Sequence, residues 1–290
     1  LVSHRPQFVE IRQFSGRRPQ SIFTEFPILK QAIDRCRDRI LEVELRRGDL
    51  PTAATAPALT LRSIPGMKNL IALLSALGKT EFDRSSYSFD QNRSSVLSHL
   101  IRVSYPLETD TLEVFADLVQ AARISERRLV ELAVYAPQWA NFVENTLHWQ
   151  GLSEGVWWIY AHTKDRQWSI DAEIRENWAA QISEYTPLSA DELIDGAVDV
   201  AWFYRMVHML GDARWQEIYR AALYAASGTG HARARLFADA MLGALSTTEL
   251  IERVEVKRYQ DAVRALGLIP LPEDETRRAE MLHRYEVMQE

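Results

Sequence analysis

The side chains best suited to hold a metal or move a proton near neutral pH are His99, His148, His162, His208 and His231. A helical zinc site spaces two histidines four residues apart, as in HExxH, and no pair here has that or another tight ligand spacing. A metal site would therefore need ligands converging from distant helices, and the expectation is no metal and no cofactor. His162 closes the run Val156-Trp-Trp-Ile-Tyr-Ala161, one helical turn after Trp158. Two readings follow. The ring packs into an aromatic core with a nitrogen bonded to a carbonyl or an acid, or it is a general base in a pocket walled by Trp157, Trp158 and Tyr160.

The other suggestive segment is Ser227-Gly-Thr-Gly-His-Ala-Arg-Ala-Arg235. Glycines leading into a helix can present backbone N–H groups to an anion, and His231 and Arg235 lie one turn apart. The pattern is neither GxxxxGK nor GxGxxG and follows no strand, so a helix-to-helix turn is expected, with a phosphate or carboxylate site as the rival. If a ligand binds, the candidate contacts are Trp158, His162, His208, His231 and Arg235. No GxSxG elbow occurs, and no Ser-His-acid set can be chosen without geometry, so no catalytic residue is assigned.

The elements that would position these groups are helices. Leu29, Ile33, Cys36, Ile40 and Val43 form one apolar stripe ahead of Gly48, which places Cys36 as a buried thiol. Residues 49–63 are Pro-, Thr- and Ala-rich and read as a connector, with a short extended piece at 59–64. Met67 to Leu77 is a second helix ended by Gly78, and 79–92 a polar loop. Asp110 with Glu113, Ser189 with Glu192 and Ser246 with Glu249 have the spacing of capping boxes. Gly211, Gly228 and Gly267 stand where helices end. The sum is an all-α fold of ten to twelve helices, in stacked hairpins or an irregular α-solenoid-like array. The division expected is 1–63, an N-terminal helix and connector, and 64–290, a helical domain, with one continuous domain as the alternative.

Composition narrows the function classes. The net charge of −6 offers no general attraction to nucleic acid or anionic lipid. A single cysteine excludes an internal disulfide and, with no apolar run near the ~20 residues of a membrane span and no signal-peptide core, makes a cytoplasmic location the default. All eight tryptophans lie between Trp139 and Trp215, where the densest packing is expected. The chain begins with Leu1, which suggests a piece of a longer protein.

The segments YAPQWANFVENTLHW, GLSEGVWWIYAHT, ILEVELRRGDLPT, GHARARLFADAMLG and KRYQDAVRALGLIPL resemble large bacterial proteins of unknown function labelled molybdate-metabolism regulator-like (MolR-like), some of which carry a WGR module. The resemblance spans most of the chain. It implies a helical region of a multidomain bacterial protein and supplies no catalytic residues. The function expected is a non-enzymatic scaffold that binds a protein partner or other domains of its parent chain. The rivals are a ligand-sensing or enzymatic domain with an aromatic pocket near His162, and a nucleic-acid-linked regulator using arginines such as Arg233 and Arg235. No membrane partner and no small molecule is indicated.

Overall fold

A computed structural model describes residues 26–84, 91–164, 172–226, 231–257 and 259–289. Among these the protein is all-α apart from one two-residue parallel bridge, and it has sixteen α-helices, more than the ten to twelve expected. Part of the excess comes from short helices. Thr55–Thr60, inside the stretch read as a connector, and Ala190–Asp195 are six residues each, too short for a 3.6-residue period to stand out. The chain divides into two compact units, Leu1–Leu147 and His148–Glu290.

In the first unit the helices are α1 (Pro27–Arg46), α2 (Thr55–Thr60), α3 (Met67–Leu77), α4 (Arg93–Arg102), α5 (Leu112–Ala121), α6 (Glu126–Tyr135) and α7 (Ala140–Leu147). Between them β1 (Ile64–Pro65) pairs in parallel with β2 (Ser104–Tyr105). α3 and α4 pack on each other, α1 and α2 pack on α4, and α5 and α6 pack on α7. The core is mainly aliphatic, with Leu70, Leu73, Leu97 and Leu100 fully buried, and Phe115 and Trp139 stacked 5.9 Å apart. The Trp139 indole donates to the Ser104 carbonyl at 3.1 Å, tying α7's entry to β2. Asp110 does not start a capping box. Thr111 is the N-cap of α5, while Asp110 Oδ2 accepts from the backbone N–H groups of Met67 and Leu107, each at 2.9 Å.

Cys36 is exposed, which corrects the buried thiol expected of it. α1 meets its neighbours through its C-terminal half, where Leu41 and Glu44 are buried, so the apolar stripe drawn through Leu29 and Cys36 is not the face that packs. At that packed end Glu44 and Arg47 form an ion pair at 3.1 Å with both side chains enclosed.

The second unit contains α8 (Leu152–His162), α9 (Ala172–Ser183), α10 (Ala190–Asp195), α11 (Val200–Leu210), α12 (Asp212–Ala221), α13 (Ala232–Met241), α14 (Thr247–Lys257), α15 (Gln260–Leu268) and α16 (Arg277–Gln289). α8 is its axis, touching each of α9 to α13. The sequence explains this: Leu152, Val156, Trp158, Ile159 and Ala161 cover the helix all round, and a helix apolar on every side belongs inside. Gly155 lets α11 and α12 approach, since a Cβ there would lie 3.2 Å from Leu210 and 3.3 Å from Ile218. Ser189 and Glu192 complete the expected capping box on α10, and Ser246 accepts from Glu249 N at the start of α14. Gly211 separates α11 from α12 at φ +75°, as its position suggested, whereas Gly267 lies within α15. Gly228, and residues 85–90 of the expected polar loop, lie outside the described residues.

Candidate functional site

Among the described residues of the second unit, an enclosed set of polar groups surrounds His162, at the C-terminal end of α8. Its Nδ1 is 2.8 Å from the Trp158 carbonyl one turn back. The ring is fully buried, 4.4 Å from the Trp158 ring, 5.9 Å from Phe237 on α13 and 6.3 Å from Trp202 on α11. Burial in this apolar setting disfavours the imidazolium and pushes the pKa down to about 4. The Arg233 cation acts in the same direction, against upward pulls from the Trp158 carbonyl, Asp199 and the Ala197 backbone.

Beside it, Arg233 of α13 is buried and donates to the carbonyls of Lys164 and Ile194, the latter at 3.2 Å. Its Nε is 3.4 Å from Asp261 of α15, and Arg264 donates to the same carboxylate oxygen at 2.7 Å. Gly196, at φ +98° after α10, makes room for this pair, because a Cβ there would stand 2.5 Å from both Arg233 Nη2 and Arg264 Nε. Asp199 caps α11 through the Trp202 N–H at 3.0 Å and accepts from Thr186 Oγ1 at 2.7 Å. Glu154 of α8 pairs with Arg205 of α11 at 2.8 Å.

The structure brings His162 and Trp158 together, and it brings Arg233 beside them. His208 lies exposed on α11. His231 is half-buried at the start of α13, and Arg235 is exposed one turn on, its guanidinium 4.4 Å from the Tyr219 ring centre. Tyr219 in turn bonds Asp239 at 2.7 Å. The glycines of the 227–235 motif, residues 227–230, lie outside the described residues. Trp157 and Tyr160 are half-buried and 5.7 Å apart on the side of α8 away from the ring of His162. Among the remaining histidines, His148 is exposed, and His99 in the first unit meets the Leu61 carbonyl at 2.9 Å.

Arg233, Asp199, Asp261 and Gly196 were not assigned to this cluster by sequence reasoning. Arg233 carried a signal, because it occupies the same helical stripe as Phe237 and Ala240 and was therefore placed to face inward. Asp261 and Gly196 carried none, since their roles arise from tertiary contact. Chemically the cluster offers a neutral imidazole and a multiply bonded guanidinium held out of water, an arrangement that fixes helices to one another. Among the described residues no group of three His, Cys, Asp or Glu side chains could hold a metal ion.

Comparison with curated proteins and with solved structures yields no match. The family model described as Family of unknown function (DUF5724) matches residues 5–290. Matched over nearly its whole length, the chain belongs to this family of unknown function, DUF5724.

Proposed function

We propose that this chain is a non-enzymatic helical scaffold or protein-interaction module from a larger multidomain bacterial protein. Its setting is cytoplasmic, and its helices form stacked hairpins or an irregular solenoid-like array. The observation that carries the reading is the inverted polarity of α16. This helix is held in its own unit by polar contacts: the buried Arg284 donates to Glu280 at 2.7 Å and to the Ile269 carbonyl at 2.6 Å, and Thr247 donates to Glu280 at 2.6 Å. Outward it presents Met281, Leu282, Tyr285 and Met288, which are 51%, 49%, 57% and 41% exposed. A soluble helix ordinarily turns its apolar stripe inward, and a contiguous apolar strip left in water marks a protein contact. Methionines suit such a face because they adapt to the surface they meet.

The resemblance to molybdate-metabolism regulator-like proteins supports the multidomain bacterial setting. The partner is a protein or another domain of the same parent. Nucleic acid is disfavoured by the acidic balance, and among the described residues no helix is long and apolar enough to cross a membrane. A pocket built on His162 would have to open a ring that Trp158, Trp202 and Phe237 enclose.

The test is photocross-linking in cells that express the protein. A photoreactive residue at Tyr285 should give one discrete adduct that is lost when Met281→Glu and Leu282→Glu are added, while the exposed control Glu113 gives none. Equal labelling from both positions overturns the reading. So does a metabolite that raises the melting temperature by several degrees in a thermal-shift panel, since a ligand specific for the native state must do so.

A further inference from the structure

We propose that His162 is an acid-release latch: when its ring takes up a second proton the second unit loosens, while the first keeps its packing. In the neutral ring Nδ1–H donates to the Trp158 carbonyl, and Nε2 is an imine nitrogen with no proton to place. Protonation creates a second N–H. Nε2 has no hydrogen-bond partner of good geometry, and the ring reaches no water. A buried donor without an acceptor is costly, and a buried charge more so.

The groups facing the ring from the packed elements relieve this only in part, since burial holds the ring well below its ordinary value in their presence. α13 contributes Arg233, already a buried cation. The start of α11 contributes Asp199, whose two oxygens are engaged by Trp202 N and Thr186 Oγ1 as the cap of that helix. The turn after α10 contributes the Ala197 backbone, which favours the charged ring but gives Nε2 no bond of good geometry, and α8 itself contributes the carbonyl already in use. The consequence reaches the whole unit because the ring sits where α8, α11 and α13 meet.

The direction follows from linkage. The folded unit holds His162 at about 4, against 6.5 for an ordinary histidine. Below about pH 6.5 the unfolded chain therefore binds the proton that the folded one refuses, and stability falls as pH drops toward about 4. His99 is the corresponding group in the first unit. Its pKa is also lowered by burial, but the ring is only half-buried and keeps a route to solvent.

The full chain can be tested directly, because seven of its eight tryptophans lie in 148–290 and their emission reports on the second unit. Wild-type emission should shift to the red with a midpoint between pH 6.5 and about 4, while amides in 93–135 stay protected from hydrogen exchange. His162→Gln should move the midpoint at least ~0.5 pH unit to the acid side. Superimposable acid transitions, or loss of first-unit protection at the same pH, overturn the proposal. If His162→Gln does not fold, the wild-type ring proton decides by NMR: no titration above about pH 5 in the folded chain supports the latch, and a midpoint near 6.5 with the fold intact overturns it.

Discussion

Each unit buries arginine side chains, and Arg47 of the first and Arg233 of the second are satisfied in different ways. In the first, Arg47 faces Glu44 one turn back on the same stretch of chain, and Thr55 links them by accepting from Arg47 at 2.7 Å and donating to Glu44 at 2.8 Å. Arg47 Nη2 donates to the Gln91 carbonyl at 2.8 Å. Charge is balanced almost wholly within residues 44–55. In the second, Arg233 draws on carbonyls 69 and 39 residues away, and the Asp261 carboxylate 3.4 Å from it is shared with Arg264. The first arginine completes a local knot, whereas the second is a tie between distant segments whose failure is felt across its unit.

That contrast can be broken by substitution. The largest effect is expected from Glu44→Gln, which leaves a buried guanidinium without its counter-charge and should cost about 3–5 kcal/mol, read by urea unfolding with exchange protection in the first unit as the probe. Arg233→Met removes the cation itself and leaves neutral carbonyls behind, with Asp261 still paired to Arg264, so a loss of about 1–3 kcal/mol is expected from tryptophan emission. A larger loss for Arg233→Met than for Glu44→Gln would reverse the comparison. Gly196→Ala should weaken the tie without touching either charge. It imposes a Cβ at φ +98° against two arginine side chains, and about 2 kcal/mol is expected, confined to the second unit. The smallest pair is Ser189→Ala and Asn92→Ala, which remove one helix cap from each unit and should each cost about 1 kcal/mol. Equal losses there, measured by the same unfolding, would place the difference between the units in their buried charges and not in their local helix signals.

Helix starts and stops were legible where the signal is local. Ser189 with Glu192, Ser246 with Glu249, Gly78 and Gly211 all act within a few residues of where they stand. Asp110 misled because the same side chain that can cap its own helix serves another one 43 residues back. The stripe through Cys36 misled for a related reason: an amphipathic pattern shows that a helix has an apolar side, and only its neighbours determine which turns of that side are covered. The aromatic density of 152–162 was readable as interior, and a carbonyl was one of the two partners left open for His162, but the arrival of Arg233 and Asp199 beside it was not readable. Such groups are brought together by packing, which leaves no spacing in the sequence to read.

Asp110 has a further consequence, and it concerns order in time. α3 begins at Gly66, which has no side chain to cap it, and the Met67 N–H is met by a carboxylate 43 residues downstream. The same region closes the Ile64–Ser104 bridge and the turn in which Leu107 N also donates to Asp110. These contacts share one loop closure, whose entropy must be spent before any of them stabilises the chain. On the ribosome the first unit therefore cannot set until residue 110 has emerged, and until then α3 carries its apolar face, Leu70, Leu73, Leu74 and Leu77, in want of cover.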